Sequence, residues 1–382
     1  MTRRPIRFAL GYDDVLLVPQ RTAVASRKAT DLSTTLAPGL DLAIPVLSAN
    51  TPWCTEGPMA AAMALAGGLG VLHRACTLAQ QAAQLEMVKN TAVAATVSTA
   101  SVDREGRLRA AAAVGVTGDW KERAAMLVGH GVDALVVDVA HGHADYVLTV
   151  VAALKKQHPN VVVIGGNVAT AAGTRDLIEA GADVVKVGIG PGGICTTRLV
   201  AGAGVPQLTA VMDCADAAAE HGVRVIADGG IKNSGDLVKA LAAGATTAML
   251  GSALAGADES PARLVEDGGH SYKVSTGFVT HGMQLSLKKA RGEQVTQAEL
   301  DDYLPEGVEG THEATGPLER TLHPFLAGLR SGMSYSGAAD LEQLRQRAEF
   351  VQISAAGVTE SRPHALGRSR QLPLDYRAEP AQ

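Results

Sequence analysis

Aromatic side chains are nearly absent: Phe, Tyr and Trp together make up 3% of the 382 residues. A core built without them must be aliphatic, and a 46% hydrophobic composition is enough for a large one. Cysteine is also scarce. Cys54, Cys76, Cys195 and Cys214 show no paired spacing, which argues against both a disulfide framework and a zinc site. There is no long basic run and the net charge is −5, so nucleic acid is not expected as the main partner. No stretch reaches the roughly 20 apolar residues of a membrane helix. The basic start, Met1-Thr2-Arg3-Arg4-Pro5, is not followed by an apolar signal core of adequate length. These absences together lead to the expectation of a cytoplasmic enzyme without a membrane partner.

Glycine, by contrast, is abundant, with 42 residues. Apolar runs alternate with helix-patterned segments along the chain. The runs Ala43–Ser48, Gly68–Leu72, Leu108–Val116, Ala134–Val139, Val161–Gly165, Val184–Gly190, Arg224–Asp228 and Thr246–Gly251 predict eight strands. Residues 57–66, 78–89, 120–130, 144–157, 171–181, 210–221 and 234–243 predict helices, and 91–103 a connector. This α/β alternation predicts a (β/α)8 barrel, with an open eight-stranded parallel sheet as the structural alternative. The length suits one barrel with insertions, here taken as a single catalytic domain over 1–382. Residues 284–317 are polar and poorly periodic, a length of irregular chain that in a compact domain is usually functional.

One stretch stands out. Val184-Val185-Lys186-Val187 reads as a buried parallel strand and runs into Gly188-Ile189-Gly190-Pro191-Gly192-Gly193, then Ile194-Cys195-Thr196-Thr197-Arg198. The glycines allow a sharp turn and a close backbone approach to a ligand. Cys195 therefore falls just beyond a strand's carboxyl end, where barrels place their chemistry; a buried structural cysteine is the competing reading. Gly229-Gly230 and Gly251-Ser252 follow the last two strands, the usual phosphate position, although such glycines also make ordinary tight turns. Asp228, directly before the first pair, suits a pair of ribose hydroxyls.

The run Gly188–Arg198 with Gly204-Val205-Pro206-Gln207, then Ala227-Asp228-Gly229-Gly230-Ile231 and Met249-Leu250-Gly251-Ser252, closely resembles the signature segments of the IMP dehydrogenase/GMP reductase family. The similarity extends from Tyr12-Asp13-Asp14-Val15 to Glu360-Ser361-Arg362-Pro363-His364. It implies a TIM barrel with a mobile flap at 284–317, in a short form without the regulatory repeats that many members insert near 91–103. It further implies Cys195 as the nucleophile toward C2 of a purine ring, with Thr197 and Glu306 relaying a proton. Ser48, Asp228, Gly229, Gly230, Gly251, Ser252 and Tyr272 would hold the nucleoside monophosphate. Asp138, Ala140 and Asn167 would meet the nicotinamide cofactor, NADPH or NAD. Potassium would lie on carbonyls of Gly190, Gly192 and Cys195, and the assembly would be a homotetramer.

The departures from the family pattern carry information. Gly193 stands where the family has a phosphate-binding serine. Gln294-Val295 occupies the place of the flap Arg-Tyr whose arginine activates water in the dehydrogenases, and Arg291 is the nearest arginine. Thr51-Pro52-Trp53 replaces Met-Asp-Thr near the purine, and Val274-Ser275 replaces the Gly-Met that reads the base edge. Arg362 stands where histidine is usual, and a guanidinium can take a cation's place, which leaves the potassium requirement open. Without the flap arginine, the resemblance leans toward reductive deamination of GMP or a 7-deazaguanine nucleotide. IMP dehydrogenase is the alternative within the class, with a flavin-binding barrel and a catalytically silent nucleotide sensor further off.

Overall fold

The computed structural model describes residues 6–276, 294, 296 and 308–361. Eight parallel strands close into a barrel: β1 (Val46–Ser48), β2 (Leu69–Leu72), β3 (Ala110–Val114), β4 (Ala134–Asp138), β5 (Val162–Val168), β6 (Val184–Val187), β7 (Arg224–Asp228) and β8 (Thr247–Leu250). Each pairs with its successor, and β8 returns to β1 through Ala248↔Val46, Met249↔Leu47 and Leu250↔Ser48. Closure excludes the open sheet. All eight expected strands are present, with β5 running on to Val168 past the expected Gly165.

These runs become strands because both of their faces are covered. Every residue of β2, β3 and β6 is buried. Small residues set how closely the helices approach. At Gly70 on β2, an added Cβ would come 2.3 Å from the Ala60 Cα, so only glycine lets that helix seat against the barrel. The core is aliphatic, as the composition requires: Tyr12, Trp53 and Phe325 are the buried aromatics among the described residues.

The longer helices among the described residues are α1 (Gly57–Leu65), α2 (Leu78–Asn90), α3 (Trp120–Gly129), α4 (Asp145–Gln157), α5 (Ala171–Glu179), α6 (Gln207–Ala219), α7 (Ser234–Ala242) and α8 (Leu318–Tyr335). Their starts are written in the sequence. Thr77 and Gln80 exchange side-chain and backbone hydrogen bonds of 3.0 and 3.2 Å, a capping box that opens α2. Asn233 accepts the Asp236 amide at 3.0 Å and opens α7 behind the Gly229-Gly230 turn. The helix expected over 210–221 starts earlier, at Gln207, directly after Pro206. Residues 91–101 form no helix or strand. Among the described residues no helix is long and apolar enough to cross a membrane.

Between β8 and α8 the chain builds a separate antiparallel sheet of β9 (Arg263–Asp267), β10 (His270–Thr276) and β11 (Glu309–Glu313). Part of the tract expected to be irregular is thus a strand. Residues 309–313 alternate exposed and half-buried with polar groups on both faces, so they lack the apolar alternation by which strands are recognised. Glu306, Arg291 and Val295 lie outside the described residues, as does Arg362. Gln294 is exposed.

Candidate active site

Two cavities open side by side at the carboxyl ends of the strands. The first, about 620 Å³, is lined by residues including Tyr12, Trp53, Ile194, Lys232, Gly230 and Ser252. The second, about 400 Å³, is lined by Arg74, Asp138, Ala140, Asn167, Lys186 and Thr197 among others. Cys195, Asp228, Gly192 and Met249 belong to both walls. The cysteine therefore sits at the junction of two chambers.

Cys195 is the one exposed cysteine of the four. Burial pushes the thiols of Cys54 and Cys76 up to about 11 and that of Cys214 up to about 12, which leaves them inert as nucleophiles near neutral pH. The Cys195 Sγ lies 3.0 Å from the Thr197 Oγ1, and its amide donates to the Gly192 carbonyl at 2.8 Å, closing the loop. The Val308 amide donates to the Ile194 carbonyl at 3.0 Å, so the chain leading into β11 docks beside the cysteine.

Beneath this loop is a charge cluster that sequence reading did not single out. Lys186 on β6 is 2% exposed, and its Nζ donates to the Asp138 Oδ1 at 2.6 Å, to the Asp228 Oδ2 at 2.7 Å and to the Asn167 Oδ1. Asn167 donates to the Asp228 Oδ2 at 2.9 Å and to the Gly188 carbonyl at 2.8 Å. Asn50 donates to the Asp138 Oδ2 at 2.8 Å. Burial pushes the Asp138 carboxyl up, but the Lys186 charge and hydrogen bond, helped by Asn50 and Arg74, bring it below the usual carboxylate range. Burial likewise works against the Lys186 charge, and Asp138 and Asp228 outweigh it, holding the ammonium above its ordinary value. The signal was present: a single lysine inside a run of buried valines needs partners, though the sequence does not name them.

The turn after β7 is made by Gly229 (φ +93°) and Gly230 (φ +78°), conformations that strain any side chain. A Cβ at Gly188 would fall 2.0 Å from the Asp228 carbonyl, so this glycine is what allows the cysteine loop and the β7 turn to touch. Position 193 faces Ser252: a Cβ there would meet only the Ser252 Oγ, at 3.7 Å. Gly251 packs against the six-membered ring of Trp53.

Two expected contacts lie elsewhere. Ser48 is fully buried on β1, outside both cavity linings, and its Oγ has no hydrogen-bond partner among the described residues. Tyr272 is on β10, where strand alternation buries Lys273 and Ser275 and turns Tyr272 to the other face, packed toward His270 at 6.3 Å. It is also outside both linings. Of the carbonyls expected to hold potassium, that of Gly192 already accepts the Cys195 amide, and the Arg198 side chain packs on Gly190. No step below depends on that cation. Asp138, Ala140, Asn167, Asp228, Gly229, Gly230, Gly251 and Ser252 all lie on the cavity walls, around Cys195.

The two segments flagged as base-reading departures meet at a residue that was not flagged. His312 on β11 is bonded through Nε2 to the Ser275 Oγ at 2.7 Å, and its ring stacks on Trp53 with centroids 6.3 Å apart and planes 14° from parallel. Burial holds the imidazole below its ordinary value, hence neutral at physiological pH.

A closed eight-stranded barrel with a cysteine loop and glycine turns at its carboxyl end defines a nucleotide-handling barrel enzyme. Comparison with known proteins makes this specific. The IMP dehydrogenase / GMP reductase domain model matches residues 9–364. The chain is similar to the inosine-5'-monophosphate dehydrogenase of Bacillus subtilis, 38% identical over 95% of this chain and 97% of that one. It is similar to the GMP reductase of Leishmania donovani, 36% identical over 94% and 97%. A solved GMP reductase from Trypanosoma brucei, in complex with guanosine 5'-monophosphate, superposes with a TM-score of 0.89 at 34% identity, covering 95% of this chain and 99% of that one. The chain belongs to the IMP dehydrogenase/GMP reductase family, whose members are NAD(P)-dependent oxidoreductases acting on purine nucleoside monophosphates.

Proposed function

We propose that this enzyme reductively deaminates GMP, or more efficiently a 7-deazaguanine nucleotide, with NADPH as hydride donor. The observation that carries the reading is the position of the Cys195 sulfur between the two chambers, beside Thr197 and above Asp228. A purine nucleotide in the larger chamber would rest its phosphate on Gly230, Gly251 and Ser252 and its ribose on Asp228, with C2 over the sulfur. The Cys195 thiolate adds to C2, a proton relayed through Thr197 and Glu306 leaves with the amino group as ammonia, and the C2–S adduct remains. Asp138 would hold the ribose of the dinucleotide in the smaller chamber, and the cofactor would supply a hydride to C2; Cys195 then leaves as the thiolate when the C–S bond breaks.

The direction follows from the residue that stands in sequence where the dehydrogenases carry the flap arginine. A dehydrogenase must activate water to hydrolyse the adduct, and Gln294 carries an amide that cannot act as a base at neutral pH. The base preference is read from the two altered segments: Trp53 lines the larger chamber, a neutral His312 stacks on it, and Ser275 is bonded to that imidazole. IMP oxidation is the second reading, favoured by similarity to the B. subtilis relative at a level matching that to GMP reductases. A homotetramer accompanies both readings, and light scattering at micromolar concentration tests it. The deciding assay follows absorbance at 340 nm with GMP or 7-deazaguanosine monophosphate plus NADPH, and separately with IMP plus NAD. Faster XMP formation from IMP than loss of ammonia from either guanine-type nucleotide overturns the proposed direction.

A further inference from the structure

We propose that Lys186 is a positioning residue that ties the two chambers together, so that nucleotide and dinucleotide bind cooperatively. The proposal rests on the reading above, in which Asp228 and Asp138 each accept from a ribose. Lys186 touches neither ligand in that reading. Its three donors are spent on Asp138, Asp228 and Asn167, and an ammonium has only three.

The geometry shows what those bonds do. Both hydrogen bonds to Asp228, from Lys186 and Asn167, fall on Oδ2, which leaves Oδ1 toward the cavity. Asp138 is gripped on one oxygen by Lys186 and on the other by Asn50. The two carboxylates come from β4 and β7, which are not neighbours in the barrel, and Lys186 on β6 is the group that bonds to both. Gly166 on β5 keeps the lysine in place: its register partner is Lys186, and a Cβ there would come 2.7 Å from the lysine Cβ. When the first ligand's hydroxyls fix one carboxylate, the shared ammonium is fixed with it. The second ligand then meets an acceptor already ordered, and loses less freedom on binding.

The test is calorimetric titration of GMP into Cys195→Ala protein, which cannot form the adduct, with and without saturating NADPH. The expected result is that NADPH tightens GMP by about fivefold or more, and that adding Lys186→Met reduces the ratio below about twofold while GMP still binds. Lys186→Arg, which keeps the charge, should restore part of the ratio. If Lys186→Met does not fold, Lys186→Gln, which keeps a polar head but lacks the charge and the third donor, reads the same tie and should likewise lose the ratio. A parent protein without coupling overturns the proposal. So does a Lys186→Met protein that weakens both ligands but keeps the ratio, which is the signature of a purely structural lysine. If neither GMP nor IMP binds the parent at all, it is the functional reading itself that fails.

Discussion

Replacing Lys186 by methionine should destabilise the protein in a manner that depends on pH. The substitution preserves much of the side chain's volume but removes the cation that lies 2.6 Å from Asp138 and 2.7 Å from Asp228. Breaking a buried ion pair from one side costs about 3–5 kcal/mol, because the remaining charge loses its compensation. For a chain of this length that corresponds to roughly 4–6 °C in melting temperature. In the parent, Asp138 is held below its ordinary range and Lys186 above its own, so both are charged in folded and unfolded states alike between about pH 5 and 9. The Asp138 contribution is lost only as pH falls through the depressed folded value. The Lys186 contribution is complete below the unfolded lysine value and lost only as pH rises through the folded one. In the variant the buried Asp138 keeps only the weaker help of Asn50 and Arg74 against burial and a second carboxylate, so its folded value rises. The folded state then holds more protons than the unfolded chain, and stability falls as pH rises. Thermal melts of parent and variant at pH 5, 6.5 and 8 should therefore show a gap that widens with pH. A gap of constant size across that range would refute the electrostatic account.

Cys195→Ala should abolish turnover while leaving nucleotide affinity largely intact, and a 6-chloropurine nucleotide should add to the parent but not to the variant by intact mass. Gly193→Ser places a hydroxyl beside Ser252, where a Cβ has ordinary contact distance, and should lower the nucleotide KM about fivefold if a phosphate sits there. Gly166→Ala forces a methyl to 2.7 Å from the Lys186 Cβ and backbone oxygen and should cost about 1–3 kcal/mol, read as a lowered melting temperature. His312→Val removes the Ser275 partner and the Trp53 stack, and should change the ratio of guanine- to hypoxanthine-nucleotide turnover more than about tenfold, with the phosphate contribution unchanged.

The barrel was legible because its strands are buried on both faces and so read as apolar runs ending in glycine. Arg224–Asp228 was placed to the residue, and the other seven strands to within a few. Cys195, Asp228 and the glycine pairs were legible because each lies at a strand end and its sequence neighbours advertise a turn. What stayed hidden shares one physical property: its meaning is in partners far along the chain. Lys186 bonds to residues 48, 42 and 19 positions away. His312 meets a serine 37 positions back and a tryptophan near the other end of the domain. The side sheet was missed for a different reason: β9 is largely exposed and puts Leu264 and Val265 on opposite faces among charges, and β11 is polar on both faces, so no periodicity marks them. Tyr272 falls on β10 outside both linings, since resemblance gives a residue's position along a strand but not which face of the sheet it turns to.

The separation between floor and wall explains how one family scaffold can change its base while keeping its nucleotide. On the proposed reading ribose and phosphate meet strand-end carboxylates and glycine turns, whose positions are locked by barrel closure: shifting Asp228 would also move its pairing with Met249, its bonds to Lys186 and Asn167, and the Gly188 contact. The base wall is held differently. Ser275 and His312 belong to the side sheet, which is tied to the barrel's edge by Lys273, whose ammonium donates to the carbonyls of Ala257, Asp258 and Ser260, and by the Val308 amide on the Ile194 carbonyl. Trp53 comes from the loop after β1 and is tied to the same edge, its carbonyl accepting from the Ser260 hydroxyl at 2.7 Å. None of these contacts passes through the barrel's hydrogen-bond ladder. Substitutions at Trp53, Ser275 and His312 can therefore be exchanged as a set without disturbing the strand register that aims Cys195. On the proposed reading, the chemistry at C2 belongs to the barrel floor, and the ring presented to it is selected through the cluster of Trp53, His312 and Ser275 that the side sheet helps to hold.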